Sequence, residues 1–162
     1  MDISVRKGGH SDLEFLRLML YEAAYWRSGE RPPIDKALAD PELGKLLAGW
    51  GRQGDFALIA QDLSNPVGAA WIRYWTKEEH SYGFVADDIP ELSIGIMKPY
   101  RKLGIGRLLL RQLFTEIATT TPQVSLSVEQ DNPALKLYRS MQFKVVDKVA
   151  NSFTMVVKTR EV

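Results

Sequence analysis

Gly104 and Gly106 stand in the run MKPYRKLGIGRLLL (97–110), at the entrance to a strongly apolar helix, with Arg101, Lys102 and Arg107 crowded around them. The first turn of a helix has backbone N–H groups without intrahelical partners and is its electropositive end, so three cations are out of place there unless an anion accompanies them. Glycine at 104 and 106 removes side chains that would obstruct a ligand approaching those amides. The chemistry this favours is the seating of a phosphate or pyrophosphate. The plain alternative is a flexible glycine turn with solvated basic side chains, and an isolated G-x-G does not separate the two.

Other phosphate-binding spacings are absent. The loop G-x-x-x-x-G-K-S/T fails because Gly106 is followed by Arg107 and Leu108, and G-x-G-x-x-G fails because position 109 is leucine. The second motif also belongs near the start of a parallel sheet, which the helical segments ahead of this run argue against.

The elements that must position the glycine turn follow one another along the chain. Ile3 and Val5 alternate with polar residues as a first strand, and Ser11 with Glu14 reads as a capping box opening a helix through Leu13, Leu16, Leu20 and Ala24. RSGERPP (27–33) is a loop, and PELGKLLAGW (41–50) a second helical region. FALIAQDL (56–63) and VGAAWIRYW (67–75) flank the turn SNP as a hairpin, and a polar, irregular connection runs to residue 90. ELSIGIM (91–97) is a strand, and the helix that follows runs to about residue 119. Its apolar stripe is Ile105, Leu109, Leu113 and Ile117, widened by Leu108, Leu110 and Phe114. VSLSV (124–128) is a strand, DNPALKLYRSM (131–141) a short helix with Asn132 placed as its N-cap ahead of Pro133, and FKVVDKVA and SFTMVVK two closing strands.

Composition narrows the function classes. The chain has 162 residues, 45% of them apolar and 25% charged, which suits one domain spanning 1–162. With 21 basic and 20 acidic residues the net charge is +1, so no nucleic-acid partner is expected and any anion affinity is local. Without cysteine there is no disulfide, thiolate nucleophile or cysteine-ligated metal, and with only His10 and His80 no metal site is expected. Neither a signal-peptide core nor an 18-residue apolar run occurs, so a cytoplasmic location and no membrane partner are expected.

The residues also carry a family resemblance. Arg101-Lys102-Leu103-Gly104-Ile105-Gly106 resembles the Q/R-x-x-G-x-G/A signature of the GNAT superfamily of acetyl-CoA-dependent N-acetyltransferases, and ELSIGIM ahead of it resembles that family's fourth strand. Downstream, NPALKLYRSMQF resembles the family block N-x-A-x-x-L-Y-x-x-x-G-F, departing from it where Gln142 stands for glycine. If position 142 needs a left-handed C-cap, glutamine costs on the order of 1 kcal/mol.

The resemblance implies an α/β fold with a central mixed, mostly antiparallel sheet of six to seven strands flanked by about four helices. It implies acetyl-CoA as cosubstrate, with the pyrophosphate on the amides of Leu103, Gly104 and Gly106, and Lys102, Ile105 and Arg107 nearby. Arg101 adds charge, and Asn132 contacts the pantetheine arm. The arm lies beside Ile96 and Met97, and a backbone N–H near Met97 polarises the thioester carbonyl between splayed strands 91–97 and 124–128. Tyr138 matches the family tyrosine and is the expected general acid, although its periodicity alone fits a core aromatic. Glu91 is the expected general base, with Glu78, Glu79, Asp87 and Asp88 as fallbacks, but the face on which it opens is left undecided. Acceptor specificity falls to the loop after the first helix and the loop before residue 91, where Tyr25, Trp26, Arg31, Trp71, Tyr74, Trp75, Tyr82 and Phe84 line a pocket or fill core. The expected function is acetyl transfer to a primary amine of a small molecule or peptide, in a possible homodimer. The alternative is a non-catalytic acyl-CoA-binding sensor or scaffold.

Overall fold

Seven stretches of period-two or continuous apolar patterning become strands of one sheet in the computed structural model, which describes residues 1–161. They are β1 (Ile3–Lys7), β2 (Phe56–Asp62), β3 (Asn65–Arg73), β4 (Glu91–Ile96), β5 (Gln123–Glu129), β6 (Lys144–Val149) and β7 (Ser152–Lys158). Their order across the sheet is β1-β2-β3-β4-β5-β7-β6, and all neighbours are antiparallel except β4 and β5. The expected mixed, mostly antiparallel sheet is found. Five helices accompany it: α1 (Leu13–Ala24), α2 (Ile34–Leu38), α3 (Pro41–Gly44), α4 (Ile105–Ile117) and α5 (Ala134–Ser140).

Strand alternation sorts the core into two layers. Leu58, Ala60, Ala70, Ile72 and Leu92 face Ile105, Leu109, Leu110, Leu113, Phe114 and Ile117 of α4. Ala57, Ile59, Ala69 and Trp71 face the other way, under Leu16, Met19 and Leu20 of α1 and Leu38 of α2. Each buried Leu, Ile, Met or Phe among them stabilises by about 1.5–3 kcal/mol, and a helix as short as α4 is held by that packing rather than by its own propensity. On the α1 side the helix stands directly on β4, because a side chain at Gly95 would run into the carbonyl oxygen of Met19.

Three local expectations are corrected. Ser11 does not cap α1: a single 3-10 turn (His10–Asp12) precedes the helix, and Asp12 is its N-cap residue. The Asp12 carboxylate accepts from Gly9 N–H at 2.7 Å and from the two terminal guanidinium nitrogens of Arg6 at 2.9 and 2.8 Å, a fork that a carboxylate satisfies and a hydroxyl does not. The helical region at 41–50 is shorter, since Asp40 caps α3 by accepting from Glu42 N–H at 3.0 Å and the chain then breaks into turns ending at Gly49 (φ +63°) and Gly51 (φ +105°). The hairpin turns at Leu63–Ser64, with Asn65 and Pro66 already in β3.

The end of α5 bears out the C-cap expectation. Gln142 has φ +74°, Phe143 N–H donates to Tyr138 O at 3.1 Å, and Gln142 N–H donates to Arg139 O at 3.1 Å. This is a Schellman turn, and the Phe143 ring packs 5.6 Å from that of Tyr138 as its hydrophobic contact. Gln142→Gly is therefore expected to stabilise the fold by about 1 kcal/mol, raising Tm by about 2–4 °C in a thermal melt. An unchanged or lower Tm would contradict the strain assigned to Gln142.

Candidate active site

β4 and β5 pair at one place, Glu91 opposite Ser125, where Ser125 N–H donates to Pro90 O at 3.0 Å. Beyond that pair the two strands separate, while the other edge of β4 stays paired to β3 as far as Ile96 opposite Gly68. Met97 N–H donates to Val67 O at 2.8 Å. By the alternation of an antiparallel ladder, Glu91, Ser93, Gly95 and Met97 turn their backbone groups to β3, whereas Leu92, Ile94 and Ile96 turn theirs to the gap. The polarising amide expected near Met97 is therefore not Met97's own, which is bonded to β3; the neighbouring amide that faces the gap belongs to Ile96.

At the wide end of the gap the hydrogen-bond pattern stops. Tyr100 N–H and Arg101 N–H are paired with Met97 O (2.8 Å) and Lys98 O (3.3 Å), and Leu108 N–H donates to Gly104 O at 3.1 Å. Between them the amides of Lys102, Leu103, Gly104, Ile105, Gly106 and Arg107 have no acceptor among the described residues. Lys102 (φ +63°) and Gly104 (φ +85°) are left-handed, a conformation that turns successive amides into a common concavity. A Cβ at Gly104 would meet nothing within 4 Å, so the turn is open there and glycine is required by its φ. Gly106 differs from the expectation: a Cβ there would lie 3.1 Å from Leu137 Cδ2, so this glycine lets α4 close on α5 and does not clear a path for a ligand. Unpaired donors around an open, basic turn fit a pyrophosphate.

The three cations divide their work. Arg101 Nε donates to Ile96 O at 2.9 Å and a second nitrogen reaches Glu22 Oε1 at 3.3 Å, tying the turn to the end of β4 and to α1. Arg107 donates to Ser140 Oγ at 2.7 Å, linking α4 to α5. Lys102 is exposed and has no partner among the described residues, leaving its charge for an anion.

Glu91 lies at the closed end of the gap, 5% exposed, on the α1 face. Trp75 Nε1 donates to its Oε1 at 2.9 Å, and a Cβ at Gly83 would stand 2.7 Å from its Oε2, so the connection between β3 and β4 lies directly on the carboxyl. Burial pushes the carboxyl up to about 7, against the smaller opposing pull of the Trp75 N–H, the Gly83 backbone and the charge of Lys45. A carboxyl in that range can take up a proton near neutrality. The fallbacks Glu78, Glu79, Asp87 and Asp88 are all exposed on the outside of the same connection.

Tyr138 approaches from the opposite face, packed in the core under α4 with its ring against Phe143. Burial raises its phenol above the ordinary value, so it keeps its proton through neutral pH. Its hydroxyl has no partner among the described residues, yet the one sealed side-chain polar atom without a partner is Trp71 Nε1, so the phenol oxygen is not closed off. Asn132 Oδ1 accepts from Ala134 N–H at 2.9 Å, the cap expected, which leaves its amide nitrogen for a ligand.

A family model for an acetyltransferase (GNAT) domain matches residues 53–145, which hold the gap, the amide turn, Glu91 and Tyr138. The chain belongs to the GNAT acetyltransferase family. Solved structures of similar fold include a PaiA N-acetyltransferase from Thermoplasma acidophilum in complex with coenzyme A, at TM-score 0.74 and 22% identity over 98% of this chain and 99% of that one. The ribosomal-protein-S18-alanine N-acetyltransferase of Escherichia coli superposes at TM-score 0.67 and 15% identity, covering 97% of this chain and 94% of that one. A chimera of the Vibrio cholerae spermidine N-acetyltransferase SpeG with hSSAT does so at 0.64 and 16%, over 99% and 98%. No curated protein matches the chain by sequence. As a GNAT enzyme the protein is an acetyl-CoA-dependent N-acetyltransferase. Among the described residues no cluster of acidic or histidine side chains is built to hold a metal, and no helix is long and apolar enough to cross a membrane.

Of the aromatic residues expected at a GNAT acceptor pocket, several are structural. Trp71 is sealed in the α1 layer, and the Tyr74 hydroxyl is hydrogen-bonded to Thr121 Oγ1 at 2.8 Å. Phe84 stacks on His80 at 4.4 Å, and Tyr82 is exposed. Trp75 has the function that its sequence context hides, since it donates to Glu91. Gly83, Glu22 and the cluster of Arg27 with Glu129 and Asp131 also escaped the sequence reading, because nothing in their local pattern distinguishes them from solvated residues.

Proposed function

We propose that the enzyme moves the acetyl group of acetyl-CoA directly to a primary amine of a small molecule or peptide, with Glu91 as general base and Tyr138 as general acid. What supports this reading is a buried carboxyl, Glu91, at the point where β4 and β5 part, together with a buried phenol, Tyr138, in the core layer under α4. Acetyl-CoA supplies the acetyl group as a thioester. The amides from Lys102 to Arg107 hold its pyrophosphate, helped by the charge of Lys102. The Ile96 N–H donates to the oxygen on which charge develops. Glu91 removes a proton from the attacking amine through water, and Tyr138 returns one to the departing sulfur. With no cysteine in the chain, direct attack is the economical route.

An acyl-CoA-binding module without chemistry has no use for a buried carboxyl and a buried phenol, and with the match to an acetyltransferase family model these favour the enzyme reading. Two structures of similar fold are named for a ribosomal-protein alanine and for spermidine, which is a reason to include peptides and polyamines in the acceptor panel. The deciding experiment follows free thiol release from acetyl-CoA across amino acids, polyamines, aminoglycosides and peptide N-termini. Tyr138→Phe is expected to lower kcat about 10²-fold with little change in the KM for acetyl-CoA. Turnover equal to wild type would remove Tyr138 from the acid role. Coenzyme A raising Tm without thiol release from any amine would favour the binding module.

A further inference from the structure

Two loops border the wide end of the gap: the amide turn that leads into α4, and the strap of residues 25–33 that leaves α1. Among the described residues both are tied to one buried side chain. Glu22 lies on α1, one turn beyond the point where the helix meets β4, and is 7% exposed. Its Oε1 takes Arg101 of the turn at 3.3 Å, and its Oε2 takes Arg31 of the strap at 2.8 Å. Arg101 is simultaneously fixed on Ile96 O, the last carbonyl of β4. Arg31 lies over the Tyr21 ring, 4.7 Å from its centroid, and the Tyr21 hydroxyl donates to Pro32 O at 2.6 Å. Farther along the strap Arg27 pairs with Glu129 and Asp131, which follow the gap-bordering part of β5. The strap therefore runs from above β4 to the end of β5, across the open end of the gap on the face where Glu91 lies.

We propose that Glu22 is a positioning residue that couples the amide turn to this strap, so that coenzyme A binding orders the segment under which the acceptor enters. The inference rests on the reading of the turn as the coenzyme A site. The physical link is restriction of motion. Lys102, Leu103 and Gly104 run without backbone partners between two anchors, Arg101 on Ile96 O and the buried start of α4 at Ile105, and an anion on the unpaired amides restrains that stretch together with Arg101. Fixing Arg101 sets the plane of the Glu22 carboxylate, so Arg31 docks on an acceptor whose orientation is already determined and less freedom is lost in docking. Breaking one arm leaves a buried carboxylate only half compensated, which makes the two arginines interdependent. The coupling is reciprocal: a strap that orders with coenzyme A strengthens coenzyme A binding by the same factor.

Amide hydrogen exchange of the full chain with and without coenzyme A tests this, alongside calorimetric Kd values. In wild type, coenzyme A is expected to slow exchange across residues 25–33 by about 5-fold or more, in addition to protecting residues 102–107. In Glu22→Gln the turn should still be protected while the strap no longer responds, and the Kd for coenzyme A should weaken by about the same factor. Arg31→Met, on the half-exposed strap, should give the same uncoupling and carries the test if Glu22→Gln does not fold. A wild-type strap indifferent to coenzyme A, or a strap equally protected in the variants, overturns the proposal. No protection of residues 102–107 and no measurable Kd would instead overturn the coenzyme A reading, and the coupling with it.

Discussion

Glu91→Gln should lower kcat/KM for the amine by about 10²- to 10⁴-fold, the usual contribution of a positioned acid or base, while leaving the Kd for coenzyme A nearly unchanged. Glutamine keeps the shape and still accepts from Trp75 Nε1, so what is lost is the proton-accepting oxygen. The same carboxyl sets a pH profile. Because burial pushes it up to about 7, wild-type kcat/KM should rise with pH below that value and level above it, and the variant's residual activity should lack the inflection. Stability moves the opposite way. Between pH 4.5 and about 7 the folded protein holds a proton that the unfolded chain has released, so this group's contribution to stability falls as pH rises through that window and is flat above it. Glutamine carries no such proton. The variant should therefore gain on wild type by up to about 3 kcal/mol between pH 4 and pH 8, measured by urea unfolding at both ends. A wild-type profile without an inflection near neutrality would remove Glu91 from the base role.

The amide turn was legible in sequence because its chemistry is carried by backbone and by glycine, and both leave a local signature: a strand, two glycines and an uncapped helix start. The strands themselves were legible for a related reason, since period-two apolar segments bounded by turn residues mark them along the chain. Glu91 was legible as a position and not as an environment. Trp75 was read as the end of a strand and Gly83 as part of an irregular polar connection, and nothing in either pattern brings them onto Glu91, whose face of β4 is covered by α1 and by that connection. Side-chain surroundings were not legible where a partner distant in sequence was available in three dimensions. Arg101 was read as an anion ligand, yet Ile96 O and Glu22 engage its guanidinium; Ser11 was read as a cap, yet Asp12 satisfies Arg6 and Gly9 together. Gly106 shows the same limit, because the contact it permits is with Leu137, 31 positions away.

Arg73→Met is expected to destabilise the fold by about 3–5 kcal/mol, the cost of stranding a buried charge, and to lower Tm by roughly 10 °C or more. Arg73 and Asp55 are each 1% exposed at their side chains and are paired at 2.8 and 3.1 Å. The guanidinium also donates to Lys45 O (2.9 Å) and Ala48 O (2.6 Å), and Asp55 Oδ2 accepts from Gly51 N–H and Arg52 N–H at 3.0 and 3.1 Å. Methionine fills much of the volume and removes every one of those donors, leaving Asp55 with two backbone amides. Replacing Asp55 by asparagine in the same chain should recover part of the loss, because the larger share is the uncompensated carboxylate. The pair also bears on the site. Arg73 lies opposite Glu91 in the β3–β4 register, and the segment it pins carries Lys45, whose ammonium donates to His80 O at 2.8 Å in the connection covering Glu91. Loosening that segment admits water to the carboxyl, and because burial is the largest influence on it and the charge of Lys45 the smallest, the regained solvation outweighs the weakened pull of Lys45. The inflection in the variant's pH–rate profile, measured well below its Tm, should then fall below the wild-type value near 7 toward the ordinary carboxylate range. An inflection unchanged in a clearly destabilised variant would confine Arg73 to the fold and leave the solvation of Glu91 to Trp75 and Gly83.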